Sequence, residues 1–292
     1  MPFATHTACF LAALPHRQAL YQSGGWQTAP RPATDGFRLW LHQFYTPSEL
    51  TEAERAVSAQ LKTTATGNAR QPAHQKWAWI SIWQAEYPWL LRQIFDPPPI
   101  LFYRLVGKRY PDQQDEMLSV VGTRKPHRLA RLAITERLDQ WPGEPDQTRW
   151  LVSGFALGVD RLAHSAALER QIGTIAVLGA GLEHTGPRAN LDLIRLAQIK
   201  QGNLLFLSEF LPWQRAQAWH FVRRNRIIAG LSPCTCVVQA PERSGALITA
   251  RYALDEGREV EAFDTPLWQK IRGLNEGGRQ LLDNGARTMA YI

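Results

Sequence analysis

The sequence is poor in cysteine, and this scarcity excludes two common ways of stabilising a fold. Only three cysteines occur among 292 residues, namely Cys9, Cys234 and Cys236, which is too few for a disulfide framework. Cys234 and Cys236 form a C-x-C motif with no second pair, so we expect two small apolar residues at the start of a strand and no zinc site. We therefore expect no bound metal, and we expect the chain to reside in the cytoplasm.

Long apolar segments are also missing. No window approaches the ~20 apolar residues of a membrane-spanning helix. The N-terminal segment MPFATHTACFLAALPHRQ contains an apolar run, but no basic residue precedes it and no small-residue cleavage site is clear. We therefore expect neither a signal peptide nor a membrane partner.

The chain contains none of the catalytic motifs that combine several residues at a fixed spacing. We find no G-x-G-x-x-G, no G-x-x-x-x-G-K-[ST], no H-E-x-x-H and no nucleophile elbow, which disfavours dinucleotide, Walker-type and hydrolase sites. Asp160 and His164 lie four residues apart and would share a helix face. The favoured interpretation of this pair is a helix-start carboxylate and a packed histidine. We expect no enzymatic activity and no cofactor.

Positive charge is unevenly distributed along the chain. The formal net charge is +7; residues 1–110 hold 11 Lys or Arg against 6 Asp or Glu, a net of +5, which leaves 22 against 20, a net of +2, for residues 111–292. The second part is therefore nearly neutral, and a basic cluster within it reflects local patterning. Such a cluster permits a polyanionic partner.

Short apolar runs alternate with helix-length segments after about residue 117. The runs LSVVG, WLVSG, TIAVLG, LLFLSEF, TCVVQA and REVEAF predict strands, and the segments 126–140, 158–170, 190–200 and 245–256 predict helices. Alternation of this kind indicates an α/β fold with a mostly parallel sheet that is covered on both faces.

The first part of the chain has a different pattern. Residues 1 to about 62 are predicted to form short helices, in CFLAALPHRQAL, DGFRLWLHQFY and TPSELTEAERAVSAQL, and the polar segment KTTATGNARQPAHQ resembles a linker. Prolines 97–99 are expected to stop a Trp-rich helix and to lead into an extended segment. We predict a small helical N-terminal domain over residues 1–75 and an α/β core over residues 76–292.

Small and polar residues follow nearly every predicted strand. In an open α/β sheet, ligands collect beyond the carboxyl ends of the strands, near the point where the strand order reverses. Glycine lets a backbone approach a ligand closely, and amides at helix N-termini suit phosphate oxygens, although glycine is also common in such turns for steric reasons alone. The candidate phosphate-binding residues at these turns are Gly122, Thr123, Arg124, Ser153, Gly154, Gly179, Gly181, Ser244 and Gly245.

The stretch HFVRRNRIIAGLS concentrates arginines beside an apolar segment. If a helix over 219–230 begins near the same strand ends, its basic residues can reach phosphates, and Phe221 or Trp219 can stack on a base, as is usual for single-stranded nucleic acids. The candidates here are Phe221, Arg223, Arg224, Asn225 and Arg226. The structural alternative is an arginine cluster that pairs with the acids at positions 209, 255 and 256.

Several motifs together resemble one family. SVVGTR, LVSGFALGVDRLAHSAAL, GTIAVLGAGL, SEF, FVRRNRIIAGLS and ERSGALITARYAL occur in the order found in the DNA-processing protein A (DprA/Smf) family, and the resemblance covers roughly residues 87–290. It implies an extended Rossmann-like core that binds single-stranded DNA without sequence preference, a homodimer, and the loading of the RecA recombinase in natural transformation. By this resemblance, Arg124 and the Arg223–Arg226 segment would hold phosphates, and the same pocket would be lined by Ser153, Gly154, Ser244 and Gly245. Phe221 is our candidate for contact with a base.

The chain departs from this family in several places. KPHRLA, LEHTGPRAN and DTP replace family motifs after three strands, and the chain ends soon after a last short strand in GARTMAYI. We therefore expect no C-terminal winged-helix domain, and we expect this last strand to lie at a sheet edge.

An alternative function is a small-nucleotide sensor or a nucleoside-phosphate hydrolase on a related Rossmann-like fold. Such hydrolases carry P-G-G-x-G-T followed by a glutamate. The corresponding loop here, APERSGALITARYALDE, has one glycine and no acid within the next eight residues. This difference weakens the hydrolase but leaves the sensor open.

Overall fold

The fold was analysed in a computed structural model that describes Cys9, residues 11–14, Phe37, and residues 40–65, 77–141 and 148–289. The third predicted N-terminal helix, TPSELTEAERAVSAQL, is confirmed, whereas much of the first two and residues 66–75 of the predicted linker lie outside the described residues. Across the described ranges, nine strands form one sheet: β1 Ala78–Ser81, β2 Ile100–Val106, β3 Glu116–Val121, β4 Arg149–Ser153, β5 Gly173–Val177, β6 Leu204–Ser208, β7 Cys234–Val237, β8 Glu259–Ala262 and β9 Arg287–Thr288.

The helices of the described ranges connect these strands. They are α1 Pro47–Ala65, α2 Trp89–Arg92, α3 Leu129–Asp139, α4 Val159–Glu169, α5 Asp192–Ile199, α6 Ala218–Gly230, α7 Gly245–Asp255, α8 Pro266–Gln269 and α9 Glu276–Asp283, with a 3₁₀ turn at Arg188–Asn190. Several of them, including α1, α6, α7 and α8, begin with a side-chain cap. Ser244 Oγ accepts the Ala246 amide at α7, and Thr46 and Glu49 cap α1 reciprocally, as a Thr-x-x-Glu sequence favours.

The strand order is β1-β2-β6-β5-β4-β3-β7-β8-β9. Neighbouring strands from β6 through β9 are parallel, while β2 is antiparallel to β6 and β1 is antiparallel to β2. The chain runs outward from β3 through β4, β5 and β6 and then returns to the other side of β3 as β7. The order therefore reverses beside β3, where α/β sheets bind ligands. The predicted mostly parallel α/β sheet is confirmed.

Hydrophobic packing covers both faces of this sheet. Ile227 and Ile228 of α6 are buried against Val177, Leu207 and Val237 on one face. On the other face, a cluster joins residues of β2 and β6 to N-terminal residues, among them Cys9, Leu11, Phe37, Leu41 and Tyr45. The region predicted as a separate N-terminal domain thus contributes side chains to the same cluster as the sheet.

One edge of the sheet agrees with the sequence expectations and the other does not. The Trp-rich segment before the prolines was expected to be a helix, but Ala78–Ser81 forms the edge strand β1 and only Trp89–Arg92 is helical. β9 is the edge strand beyond β8, as expected for the GARTMAYI segment, although residues 290–292 lie outside the described residues. β2 follows the prolines at 97–99 directly. Within the described part of the chain, no helix combines the length and apolar character needed to cross a bilayer.

Cys234 and Cys236 lie on β7, as predicted, and the fold brings Glu261 of β8 to them. One ligand atom from each of the three residues lies within 4.8 Å of the others. The Glu261 carboxylate is already engaged, because Arg137 donates to it at 2.7 and 3.2 Å and Cys236 Sγ donates to it at 3.0 Å. The cluster is therefore held together by an ion pair and a thiol hydrogen bond.

Candidate nucleic-acid interface

Three loops at the carboxyl ends of β3, β7 and β8 form one surface. We call them the β3 loop (122–128), the β7 loop (238–244) and the β8 loop (263–275). Gln239 connects all three: its carbonyl accepts the Thr123 amide at 2.8 Å, its side-chain oxygen accepts the His127 amide at 2.8 Å, and its side-chain nitrogen donates to the Leu274 carbonyl at 3.3 Å. These hydrogen bonds fix the loops relative to one another before any ligand arrives.

Arg124 is the exposed cation at the centre of this surface. Its guanidinium carbon lies 5.8 Å from the centroid of the Phe221 ring, and it forms no ion pair with any residue the structure describes. Gly158, with φ +82°, lets α4 begin directly beneath the β3 loop, because a Cβ there would lie 2.4 Å from the Thr123 carbonyl oxygen. The arginine is therefore presented to solvent on a tightly supported turn.

Exposed aromatic rings lie on the first turn of α6. Trp219 is 51% and Phe221 is 37% exposed, while His220 between them is buried, stacks on Phe210 at 4.0 Å and contacts the Gly179 carbonyl oxygen at 3.2 Å. Gly179 allows the Phe221 ring to lie against the backbone, since a Cβ at this position would be 2.7 Å from the ring. The buried histidine thus lies between two exposed aromatic rings, of which that of Phe221 lies beside Arg124.

The arginines that follow on α6 point away from solvent. Arg226 donates to both oxygens of Glu209 at 3.1 and 2.7 Å and to Asp96 at 2.9 Å, and Arg223 donates to Glu209 at 3.0 Å. Burial alone would lower the pKa of Arg226, but the facing carboxylates of Glu209 and Asp96 raise it above its usual range. The arginine cluster expected as the structural alternative therefore forms around Glu209.

The other two acids named in that alternative lie elsewhere. Asp255 forms an exposed ion pair with Arg251, and the Glu256 carboxylate accepts the Phe95 amide at 2.9 Å. The partner that the sequence analysis did not anticipate is Asp96, in the loop before β2.

Arg224 lies underneath the interface. Its guanidinium donates to the Val177 carbonyl oxygen at 2.7 Å and is buried. Burial lowers the pKa of Arg224 to about 10, Asp160 raises it and the neighbouring Arg124 lowers it further. Gly154 makes room for this side chain, because a Cβ there would lie within 2.0 Å of Arg224 Nη1.

Most of the other candidate residues are engaged inside the protein. Ser153 Oγ donates to the Val120 carbonyl at 2.6 Å, and the Gly181 amide donates to the Gln214 carbonyl at 2.8 Å. A Cβ at Gly122 would lie 2.6 Å from Val159, and one at Gly181 would lie 2.0 Å from the Leu211 carbonyl oxygen. These glycines permit close packing between protein elements.

The N-terminus of α7 is the exception. Gly245 is exposed, and a Cβ there would meet nothing within 4 Å. Asn225 donates to the Gly245 carbonyl oxygen at 3.4 Å and so ties this helix start to α6. Ser244 and Gly245 therefore offer an open helix N-terminus on the same surface as Arg124.

Sequence analysis missed several cations of this surface. Lys125, Arg128 and Arg243 are exposed and form no ion pair with a described residue. Each stands in a loop, where no periodic spacing marks it. Their only signal in the sequence is their position shortly after a strand or before a helix.

The Asp160 and His164 pair is structural, as the favoured interpretation stated. Asp160 accepts the Ala156 amide at 3.2 Å, and burial raises the pKa of its carboxyl while Arg224 lowers it. His164 is fully buried, and its Nδ1 forms a hydrogen bond with Thr174 Oγ1. Burial, followed by the charge of Arg224, lowers the pKa of His164 to about 3.

This buried histidine makes stability depend on pH. Its ring stays neutral in the folded chain down to about pH 3, whereas in the unfolded chain it takes up a proton near its ordinary pKa of 6.5. The stabilisation is complete above pH 6.5 and is lost as the pH falls towards 3, by up to about 1.4 kcal/mol per pH unit. Urea unfolding at pH 7 and pH 5 measures the loss, which we expect to be smaller in His164→Gln. The matched control is the exposed His42→Gln; an equal loss in wild type and His164→Gln contradicts this assignment.

Comparison with known proteins places the whole α/β core in one family. The family profile described as DNA recombination-mediator protein A matches residues 78–292. The chain is 36% identical over 211 residues to the DNA processing protein DprA of Bacillus subtilis. This match covers 72% of this chain and 67% of the relative. It is 37% identical over 217 residues to DprA of Streptococcus pneumoniae, covering 74% and 72% respectively.

Solved structures agree with these relatives. The X-ray structure of DprA from Streptococcus pneumoniae superimposes with a TM-score of 0.76 at 30% identity, over 99% of this chain and 95% of that one. A structure that describes the single-stranded DNA binding mode of DprA from Helicobacter pylori superimposes with a TM-score of 0.59 at 23% identity, over 75% and 93%. At that identity, the second likeness shows the fold alone.

Proposed function

Since the chain belongs to the DNA recombination-mediator protein A family, we propose that it binds single-stranded DNA, without sequence preference, at the surface formed by the β3, β7 and β8 loops and the start of α6. The observation that carries this proposal is the exposed Arg124, which pairs with no described carboxylate, beside the exposed ring of Phe221 at the place where the strand order reverses. A cation for the backbone next to a ring for a base is the device that single-strand-binding proteins use.

The proposed contacts divide the candidate residues by exposure. Arg124 holds a phosphate, and the open α7 start that Ser244 caps offers the Gly245 amide to a neighbouring phosphate. Phe221 and Trp219 stack on bases. The buried candidates, among them Ser153, Gly154, Arg224 and Arg226, support this surface from beneath and do not contact the strand. We propose no catalytic step, because the Asp160 and His164 pair is committed to packing.

Phe221→Ala tests the stacking part of this proposal. Removing the ring is expected to weaken binding of a labelled oligothymidylate by about 1–3 kcal/mol, the usual contribution of one base–aromatic stack. The matched control is Phe95→Ala, because Phe95 is 50% exposed and lies in the loop before β2. Equal affinities of the two variants, measured by fluorescence anisotropy, remove Phe221 from the interface.

We also propose that the protein acts in the cytoplasm as a homodimer and loads a RecA-type recombinase onto single-stranded DNA, as in natural transformation. β9 supports the dimer, since an exposed edge strand tends to be paired or covered. A two-fold dimer presents two DNA-binding surfaces on one particle, so a strand that reaches both binds with a raised effective concentration.

Light scattering of the DNA-free protein measures the assembly directly. We expect the mass of a dimer, and we expect DNA affinity to rise once an oligomer is long enough to reach both surfaces. A clean monomer at high micromolar concentration, with equal affinity for short and long strands, excludes this arrangement.

A further inference from the structure

Cations continue across the interface beyond Arg124. Lys125 and Arg128 of the β3 loop and Lys270 and Arg272 of the β8 loop are all exposed, and none forms an ion pair with a described residue. Two apolar side chains of the β8 loop are also exposed among them: Leu267 by 45% and Ile271 by 37%. We call these six residues the outer strip.

The outer strip has a rigid foundation. Trp268, fully buried between its exposed neighbours, donates from Nε1 to His127 Nδ1 at 3.1 Å and so joins the β8 loop to the β3 loop. Thr265 caps the short helix α8 through the Trp268 amide at 3.1 Å, and Asn275 Oδ1 accepts the Ala240 amide of the β7 loop at 2.8 Å. Together with the bonds of Gln239, these contacts keep the strip in register with Arg124.

The carboxylates nearest to the β8 cations are already engaged. Asp264 accepts hydrogen bonds from Gln269 and Asn275 and lies 3.9 Å from Arg279, and Glu276 accepts the Gly273 amide and lies 3.7 Å from Arg279. Neither pairs with Lys270 or Arg272. No described residue therefore neutralises Lys270 or Arg272, and their charge is available to a partner outside the chain.

We propose that the outer strip binds a second stretch of the same single strand, as the strand leaves the Arg124 site and crosses the carboxyl ends of β7 and β8 towards the β9 edge. The inference rests on the proposed function and adds to it a path and a direction. Cations on successive, rigidly connected loops match the repeating phosphates of a strand, and Leu267 and Ile271 offer apolar contact to the bases between them.

The double variant Lys270→Glu/Arg272→Glu tests this path. Its affinity is measured for labelled oligothymidylates of about six nucleotides, which fill the Arg124 site, and of about twelve, which reach the strip without requiring a second protomer. We expect the shorter strand to bind as it does to wild type. The longer strand is expected to bind about tenfold more weakly, with the log–log salt slope reduced by about 1.4 for two lost phosphate contacts.

A matched control separates the path from general charge. Arg195→Glu/Lys200→Glu changes the net charge by the same amount. Both residues are exposed, Arg195 on α5 and Lys200 just after it. This helix precedes β6, and β6 lies in the opposite half of the sheet from β8. We expect this control to bind both strands as wild type does. The milder Lys270→Gln/Arg272→Gln variant, together with thermal melting and light scattering of every variant, distinguishes a lost contact from lost folding or assembly.

Each outcome decides between the two proposals. Suppose that wild type binds both strands, but the β8-loop variants bind the longer strand as tightly as wild type or the α5 control does. The proposal that the outer strip binds DNA is then wrong, and the proposed Arg124 site is unaffected. If wild type binds neither strand, both proposals fail. If the variants lose affinity only for an acidic protein competitor and not for DNA, the strip is a protein-docking surface.

Discussion

Arg124→Ala is expected to lose most of the affinity for single-stranded DNA while its melting temperature stays close to that of wild type. Arg124 is exposed and forms no ion pair with a described residue, so its removal costs the folded chain little. A charged hydrogen bond to a phosphate contributes about 2 kcal/mol, which corresponds to roughly a thirtyfold change in Kd. Anisotropy titration of a labelled oligothymidylate and thermal melting measure the two quantities.

The control for this variant is Arg195→Ala on α5, which removes an exposed cation far from the interface. It is expected to change neither quantity. Arg124→Lys keeps the charge and is expected to recover part of the affinity. A large drop in melting temperature with unchanged affinity of the folded fraction makes Arg124 a structural residue.

Arg226→Ala is expected to destabilise the protein more than any single surface substitution. Arg226 is 4% exposed and holds Glu209 and Asp96. Its removal takes from Asp96 and Glu209 the buried cation that they share, with only Arg223 left beside Glu209, and breaking a buried ion pair from one side costs about 3–5 kcal/mol. The free energy of unfolding in urea measures the loss.

Arg251→Ala provides the comparison, because Arg251 and Asp255 form an ion pair on α7 whose side chains are 83% and 63% exposed. An exposed pair contributes about 0–1 kcal/mol. A loss in Arg226→Ala no larger than that of Arg251→Ala shows that the Glu209 cluster does not stabilise the fold. In that case the α6 arginines regain a direct role in binding.

Much of the core was predictable from local pattern. Each of the six apolar runs forms a strand. The four helical segments predicted between them, and the helix predicted over 219–230, form helices within three residues of the expected bounds. The reason is that buried parallel strands are continuously apolar and the helices between them are bounded by glycine or capping residues. The reversal of strand order beside β3, which brings Arg124 and the start of α7 together, follows from pairings that no local pattern contains.

The orientation of the α6 arginines was not predictable for the same reason. Sequence spacing shows that Arg223 and Arg226 share a face, but their partners Asp96 and Glu209 come from distant loops that only the fold brings together. The glycines were also ambiguous. Gly154 and Gly179 make room for Arg224 and Phe221 rather than for a ligand, and a sequence cannot distinguish these two uses.

The central claim is that exposed cations at the β3, β7 and β8 loops hold the backbone of a single strand. The most direct test is a gel-shift titration of single-stranded and duplex oligonucleotides over a range of salt concentrations, with competing mononucleotides. We expect tighter binding of the single strand, a log–log salt slope of about −0.7 per phosphate contact, and no displacement by mononucleotides. A flat salt response, or displacement of the strand by a mononucleotide, contradicts the claim and favours a small-nucleotide sensor.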